Sequence, residues 1–277
     1  MLPDSIHRLL RIPYVLKARC YGHGKITIVF LHGIASYKEI WQPIMQPLEH
    51  EYRCVTIDLL GHGHSPKPTN IHYDVRAHIR SIRWTLFWRG IWGPKIIVGY
   101  SMGGIIGVHW TRLHPRWTEK LVLVSMPIYH HTAESKDIRL ENLIDKGYLT
   151  FYKVLRNAPR DLIIRSARAL VSHMPTLNMQ ARLDEQNWYP VVSSLKHTIE
   201  EQTTTHDIKS LPNDLPIEVL YGSLDQVVLA NNLKKAFIER PRTRLTRVNS
   251  SHEIRPKMYQ AIVRAIIREP EPAEQLE

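Results

Sequence analysis

Residues 99 to 103 read Gly-Tyr-Ser-Met-Gly and follow the apolar run Lys-Ile-Ile-Val. A buried strand delivering Ser101 onto a sharp turn before a helix is a nucleophile elbow, with the hydroxyl exposed above a helix N-terminus. The flanking Gly99 and Gly103 relieve the crowding that such a turn imposes on the backbone. A neutral serine hydroxyl is a poor nucleophile, so a base must take its proton during attack on an electrophilic carbon. Two further residues fit the remaining roles. Residues 216 to 225, Pro-Ile-Glu-Val-Leu-Tyr-Gly-Ser-Leu-Asp, are an apolar run that ends in Gly222 and Asp225. Residues 244 to 252, Arg-Leu-Thr-Arg-Val-Asn-Ser-Ser-His, read as a last short strand and then His252 on a loop. The chain order is Ser, Asp, His. In this scheme His252 is the base and Asp225 holds its tautomer and stabilises the imidazolium. Asp58 and Asp214 also lie near predicted strand ends and remain alternatives for the carboxylate.

Upstream, the β-branched run from Ile26 to Phe30 ends in Leu31, His32, Gly33 and Ile34, and a second run from Arg53 to Ile57 ends in Asp58-Leu59-Leu60-Gly61-His62-Gly63-His64-Ser65. Together with the elbow, the late Gly-x-x-Asp and the final His, these motifs make the chain resemble the α/β-hydrolase superfamily over about residues 12 to 268. The resemblance implies an oxyanion hole formed by the backbone amides of Ile34 and Met102, with His32, Gly33, Gly99 and Gly103 organising the loops around it. Ser251 stands where many relatives carry Gly before the catalytic His. The resemblance also implies catalysis without a metal or organic cofactor.

Strand and helix signals alternate along the chain. Strands are expected near Tyr14 to Ala18, Ile26, Val55, Ile96, Leu121, Ile217 and Leu245, with a turn at Tyr21-Gly22-His23-Gly24. Helical patterns fall around Ile40 to Leu48, Asp74 to Trp88 and Met102 to His114. Short apolar strands separated by helices predict an α/β fold, a mainly parallel, doubly wound sheet covered by helices. The pattern breaks at Pro127 and strand character returns only at Ile217. The helical positions between, from Leu140 to Tyr148 and from Leu162 to Val171, are expected to form a cap inserted after the strand that follows the nucleophile helix. This divides the chain into a core of 1–127 and 211–268, a cap of 128–210 and a disordered acidic tail of 269–277. Such a cap would exclude water and shape an apolar pocket. Met179, Trp188 and Tyr189 are candidates to line it and equally candidates for packing.

Bulk properties bound the function. The 277-residue chain is 43% hydrophobic, and no run approaches the ~18 apolar residues of a membrane span. Asp4, Arg8 and Arg11 interrupt the only candidate secretory stretch, so a cytoplasmic location is expected. Cys20 and Cys54 read as two buried, reduced thiols. The sixteen histidines include His62, His64, His130 and His131 but show no metal-ligand spacing, and no metal site is expected. The net charge is +11, carried by scattered arginines with no nucleic-acid motif, so a solvated basic surface and no nucleic-acid partner are expected. Arg76, Arg80, Arg83 and Arg89 interleave with Trp84, Phe87 and Trp88, so weak peripheral association with a membrane surface is possible on this pattern. The expected partner at the serine is a small-molecule ester; oligomeric state is not legible.

The serine separates subclasses. Relatives with Asp at the elbow, the dehalogenase-like and epoxide hydrolase-like enzymes, form an alkyl ester that Ser101 would not form usefully. Relatives that split C–C bonds often carry Trp after the catalytic His, where Glu253 stands here. The leading reading is hydrolysis of esters with short to medium acyl chains. Acyl transfer, C–C cleavage on the same triad and ligand binding on a hydrolase scaffold stay open.

Overall fold

The computed structural model describes residues 3–129 and 185–268. Most of the expected cap, including Met179 and the helical positions from Leu140 to Val171, lies outside these residues, as does the expected tail. The strands are β1 (Ala18–Tyr21), β2 (Ile26–Leu31), β3 (Tyr52–Ile57), β4 (Lys95–Tyr100), β5 (Thr118–Val124), β6 (Ile217–Gly222) and β7 (Thr243–Val248). They form one sheet in the order β1-β3-β2-β4-β5-β6-β7. Among the described strands only β1 runs antiparallel, pairing Ala18 with Ile57. The other pairs are parallel, with Val29 opposite both Val55 and Ile97.

Both faces of the inner strands β2 to β6 are buried, and their side chains alternate between two apolar layers as the pleat requires. Val29, Val55, Ile97, Leu121 and Val219 enter one layer. Ile28, Phe30, Cys54, Val98, Val122 and Leu220 enter the other. Around the sheet lie α1 (Asp4–Leu9), α2 (Val75–Trp88), α3 (Met102–Leu113), α4 (Glu185–Ser194), α5 (Thr204–Lys209), α6 (Ala230–Phe237) and α7 (Pro256–Ile267). A π-helical stretch, Leu195–Glu200, follows α4. The first layer is covered by α2 and α3, the second by α7 and the 3₁₀ segment Lys38–Ile44. Asp74 caps α2 by accepting the Ala77 amide at 2.7 Å. Helix α5 packs on α3 and is tied to it by Asp207, which takes His109 and Arg112 at 2.8 Å each.

Three local expectations change. The first strand begins at Ala18, because the amides of Leu16 and Lys17 are taken by the hydroxyls of Thr85 and Ser65, at 2.8 and 2.9 Å, instead of a neighbouring strand. Residues 38 to 44 form a 3₁₀ segment containing Pro43, whose missing N–H cannot feed an α-helical ladder. Cys20 is exposed, since β1 is an edge strand, whereas Cys54 is buried and burial pushes its thiol up to about 12.

Candidate active site

Strand β4 carries the chain to Ser101, which has φ 51° and ψ −118° and stands immediately before α3. That conformation is rare for a residue with a Cβ and projects the side chain at the sheet's carboxyl edge. The elbow is held from two sides. The Ser101 amide donates to Val124 O of β5 at 2.9 Å. A Cβ on Gly103 would lie 2.2 Å from Leu31 O, and one on Gly99 would lie 2.4 Å from Gly103 O. These two positions admit only glycine if α3 is to start so close to β2 and β4.

The carboxyl ends of β6 and β7 bring in the other two groups. Their loops are laced by Ser223 N to Val248 O at 2.7 Å and Leu224 N to Ser250 O at 3.0 Å. His252 Nε2 lies 3.1 Å from Ser101 Oγ. Its Nδ1 lies 3.1 and 2.9 Å from Asp225 Oδ1 and Oδ2. Asp225 Oδ1 also accepts the amides of Val227 and Val228 at 2.9 and 3.1 Å. The carboxylate has no solvent exposure, the imidazole is 25% exposed and Ser101 is 5% exposed. Burial alone would raise the Asp225 carboxyl; the hydrogen bond and charge of His252, with the two amides, outweigh it and hold the group below the usual carboxylate range. An ionised Asp225 accepts the Nδ1 proton and so turns an unprotonated Nε2 toward the Ser101 hydroxyl.

The other candidate carboxylates are elsewhere. Asp214 is exposed ahead of the amino end of β6. Asp58 is buried against Lys38, whose Nζ and amide lie at 3.0 and 2.7 Å. His32 sits beneath the loop after β2, where Nδ1 donates to Gly33 O at 2.7 Å and Nε2 accepts the Leu59 amide at 2.9 Å. Both ring nitrogens are thereby used to join the loops after β2 and β3, and burial lowers its proton affinity. A Cβ on Gly33 would lie 3.2 Å from Ser101 Cβ, which places the Gly33-Ile34 step against the elbow. The Met102 amide opens α3 and has no partner one turn earlier within that helix. Tyr100 is a residue that sequence reasoning missed. Its hydroxyl donates to His252 O at 3.1 Å, and its ring packs 5.5 Å from the imidazole. Trp188 is half-buried, while Tyr189 donates from its hydroxyl to Ile71 O at 2.8 Å.

Residues 26–254 match the family described as alpha/beta hydrolase fold, and the chain belongs to that family. Among curated relatives, the pimeloyl-[acyl-carrier protein] methyl ester esterase of Vibrio vulnificus is 28% identical over 78% of this chain and 83% of its own. The probable lysophospholipase BODYGUARD 2 of Arabidopsis thaliana is 31% identical over 37% of this chain, an alignment that spans 23% of the plant protein. The chain likewise spans 23% and 35% of the next two curated relatives. Among solved structures, the enol-lactonase of Burkholderia xenovorans superposes with a TM-score of 0.72 at 16% identity, covering 92% of this chain and 98% of the other. A thermophilic esterase from Thermogutta terrifontis does so at 0.70 and 16%, covering 91% of each chain. These likenesses establish the fold.

Proposed function

We propose that the chain is a serine hydrolase that cleaves carboxylic esters of short to medium acyl chains through an acyl-enzyme. The observation that carries this reading is the unbroken hydrogen-bonded line from Asp225 through both nitrogens of His252 to Ser101 Oγ. His252 Nε2 takes the hydroxyl proton as Oγ adds to the ester carbonyl carbon. The imidazolium then returns that proton to the departing alcohol. Water enters, gives a proton to the same nitrogen and attacks the acyl carbon, and the acid leaves with Ser101 restored. The amides of Met102 and Ile34 would bind the oxyanion in both steps, each worth about 3–4 kcal/mol where such donors have been removed from other enzymes. The family and its esterase relatives support ester cleavage.

The test is hydrolysis of p-nitrophenyl esters from acetate to palmitate by the wild type and Ser101→Ala in parallel. The expected result is an optimum at short to medium chains and loss of nearly all activity in the variant. A rate flat across the series would remove the chain-length claim, and a wild type no faster than the variant would remove the esterase reading.

A further inference from the structure

Far from the triad, the carboxyl end of α2 and the turn that follows it bring four aromatic rings together. Trp84 stacks on Phe87 at 5.4 Å. Trp88 packs edge-on against Trp84 and Phe87 at 5.7 and 5.8 Å, and Trp92 against Phe87 at 5.0 Å. Phe87, Trp88 and Trp92 are nonetheless 44%, 63% and 57% exposed. Single exposed aromatics are ordinary, but a contiguous cluster marks an interaction surface. Its own helix and turn carry charge of one sign. From Val75 to Gly93 the chain has no acidic residue but carries Arg76, Arg80, Arg83 and Arg89, together with Trp84, Trp88 and Trp92. Arg76, Arg80 and Arg83 are exposed and recur at i, i+4 and i+7, a spacing that continues to Phe87, so the basic stripe runs into the aromatic cluster along one helix face.

We infer that this face docks on an anionic lipid surface, the rings entering the headgroup layer and the arginines meeting lipid phosphates. Amphipathic indole rings favour that layer, and basic side chains are drawn to a negative surface. The ring packing argues against a nucleic-acid strand, which needs free aromatic faces on which bases stack, whereas here the Trp84 and Phe87 rings lie face to face, 4° from parallel. Trp92 precedes the amino end of β4 and Ser101 follows its carboxyl end, a strand length of about 20 Å. Docking on this face therefore holds the elbow away from the bilayer. The inference is independent of the ester-cleavage reading.

The test is co-sedimentation with phosphatidylcholine vesicles and with vesicles containing phosphatidylglycerol, at low and high salt. The wild type is expected to pellet with the anionic vesicles only, and less as salt screens the attraction. Arg80→Glu/Arg83→Glu is expected to weaken binding at least about fivefold per arginine replaced. Trp88→Ala/Trp92→Ala is expected to weaken it as well, with melting and far-UV circular dichroism like the wild type in both variants. Failure of the wild type to bind anionic vesicles, or unchanged binding by both folded variants, would overturn the inference. So would a dimer in solution that the tryptophan variants dissolve, or displacement from vesicles by single-stranded nucleic acid, since the face would then belong to another partner.

Discussion

Two carboxylates lie buried past the carboxyl ends of parallel strands, Asp58 after β3 and Asp225 after β6. Both are held below the usual carboxylate range against the opposing pull of burial, and both accept two backbone amides, Asp58 from Lys38 and His64 and Asp225 from Val227 and Val228. They differ in the cation or imidazole that completes each. Asp58 takes the Lys38 ammonium at 3.0 Å, a fixed charge that among the described residues also pairs with Glu39. Asp225 takes an imidazole whose second nitrogen reaches a serine hydroxyl. On the proposed mechanism, a buried carboxylate becomes chemical machinery only when its partner has a second functional atom aimed at a reactant. The Asp58 arrangement fixes loops: it joins the start of the 3₁₀ segment to the turn after β3, beside the His32 bridge that abuts the elbow.

The sharpest separation of the two is by conservative amidation. Asp225→Asn is expected to keep the melting temperature near the wild type's while kcat falls by about 10⁴, because the neutral amide no longer selects the productive tautomer. A loss under tenfold would break the comparison from the catalytic side. Asp58→Asn is expected to do the reverse. It removes the buried partner of the Lys38 ammonium, leaving Glu39 alone to pair it, and should cost about 1.5–3 kcal/mol of stability in urea unfolding, while the folded fraction keeps kcat within severalfold. A stable Asp58→Asn protein with kcat lowered like Asp225→Asn would show that both carboxylates serve the reaction.

Acid should sharpen the contrast further. Burial lowers the proton affinities of His32, His62 and His78 around the Asp58 loop, with His62 at about 3 and His78 well below the ordinary value. The unfolded chain protonates these imidazoles near pH 6.5 while the native state does not, so unfolding takes up protons and stability falls as pH drops below 6.5. The two carboxylates act lower: their contributions are present above about pH 4 and are lost as pH falls through their depressed native values. His78→Leu is therefore expected to lose about 1.4 kcal/mol less stability than the wild type between pH 7.5 and 5.5, read from urea unfolding at each pH. Equal losses would mean that His78 is charged in the native state. The smallest effect belongs to Tyr100→Phe, which removes the hydroxyl bonded to His252 O. It is expected to lower kcat by about fivefold, the equivalent of one hydrogen bond of about 1 kcal/mol, with KM unchanged. A variant indistinguishable from the wild type would show that the loop holds His252 without it.

Much of this was legible in the chain because the relevant signals are local or ordered. The central strands are short apolar runs, with Gly99 next to last in β4 and Gly222 ending β6, where close packing against Gly103 and against the loop after β7 demands glycine. The order Ser101, Asp225, His252 narrowed the partners before any distance was known. What escaped depends on contacts between remote segments. Nothing in the spacing of Lys38 marks it as the partner of Asp58, twenty positions on. The start of β1 is decided by hydroxyls from Thr85 and Ser65, and the grip of Tyr100 on His252 spans 151 intervening residues that only the fold brings together. Choosing Asp225 over Asp58 and Asp214 likewise required seeing which carboxylate faces the imidazole.

The central claim is that the Asp225–His252 pair activates Ser101 in particular. Its most direct test is to react the native protein with a fluorophosphonate, which traps an activated serine covalently, and to map the adduct by peptide mass spectrometry. The expected result is a single phosphonyl group on Ser101, formed far more slowly in Asp225→Asn and at an undiminished rate by folded Asp58→Asn. An unlabelled protein, or an adduct on any other residue, would contradict the account.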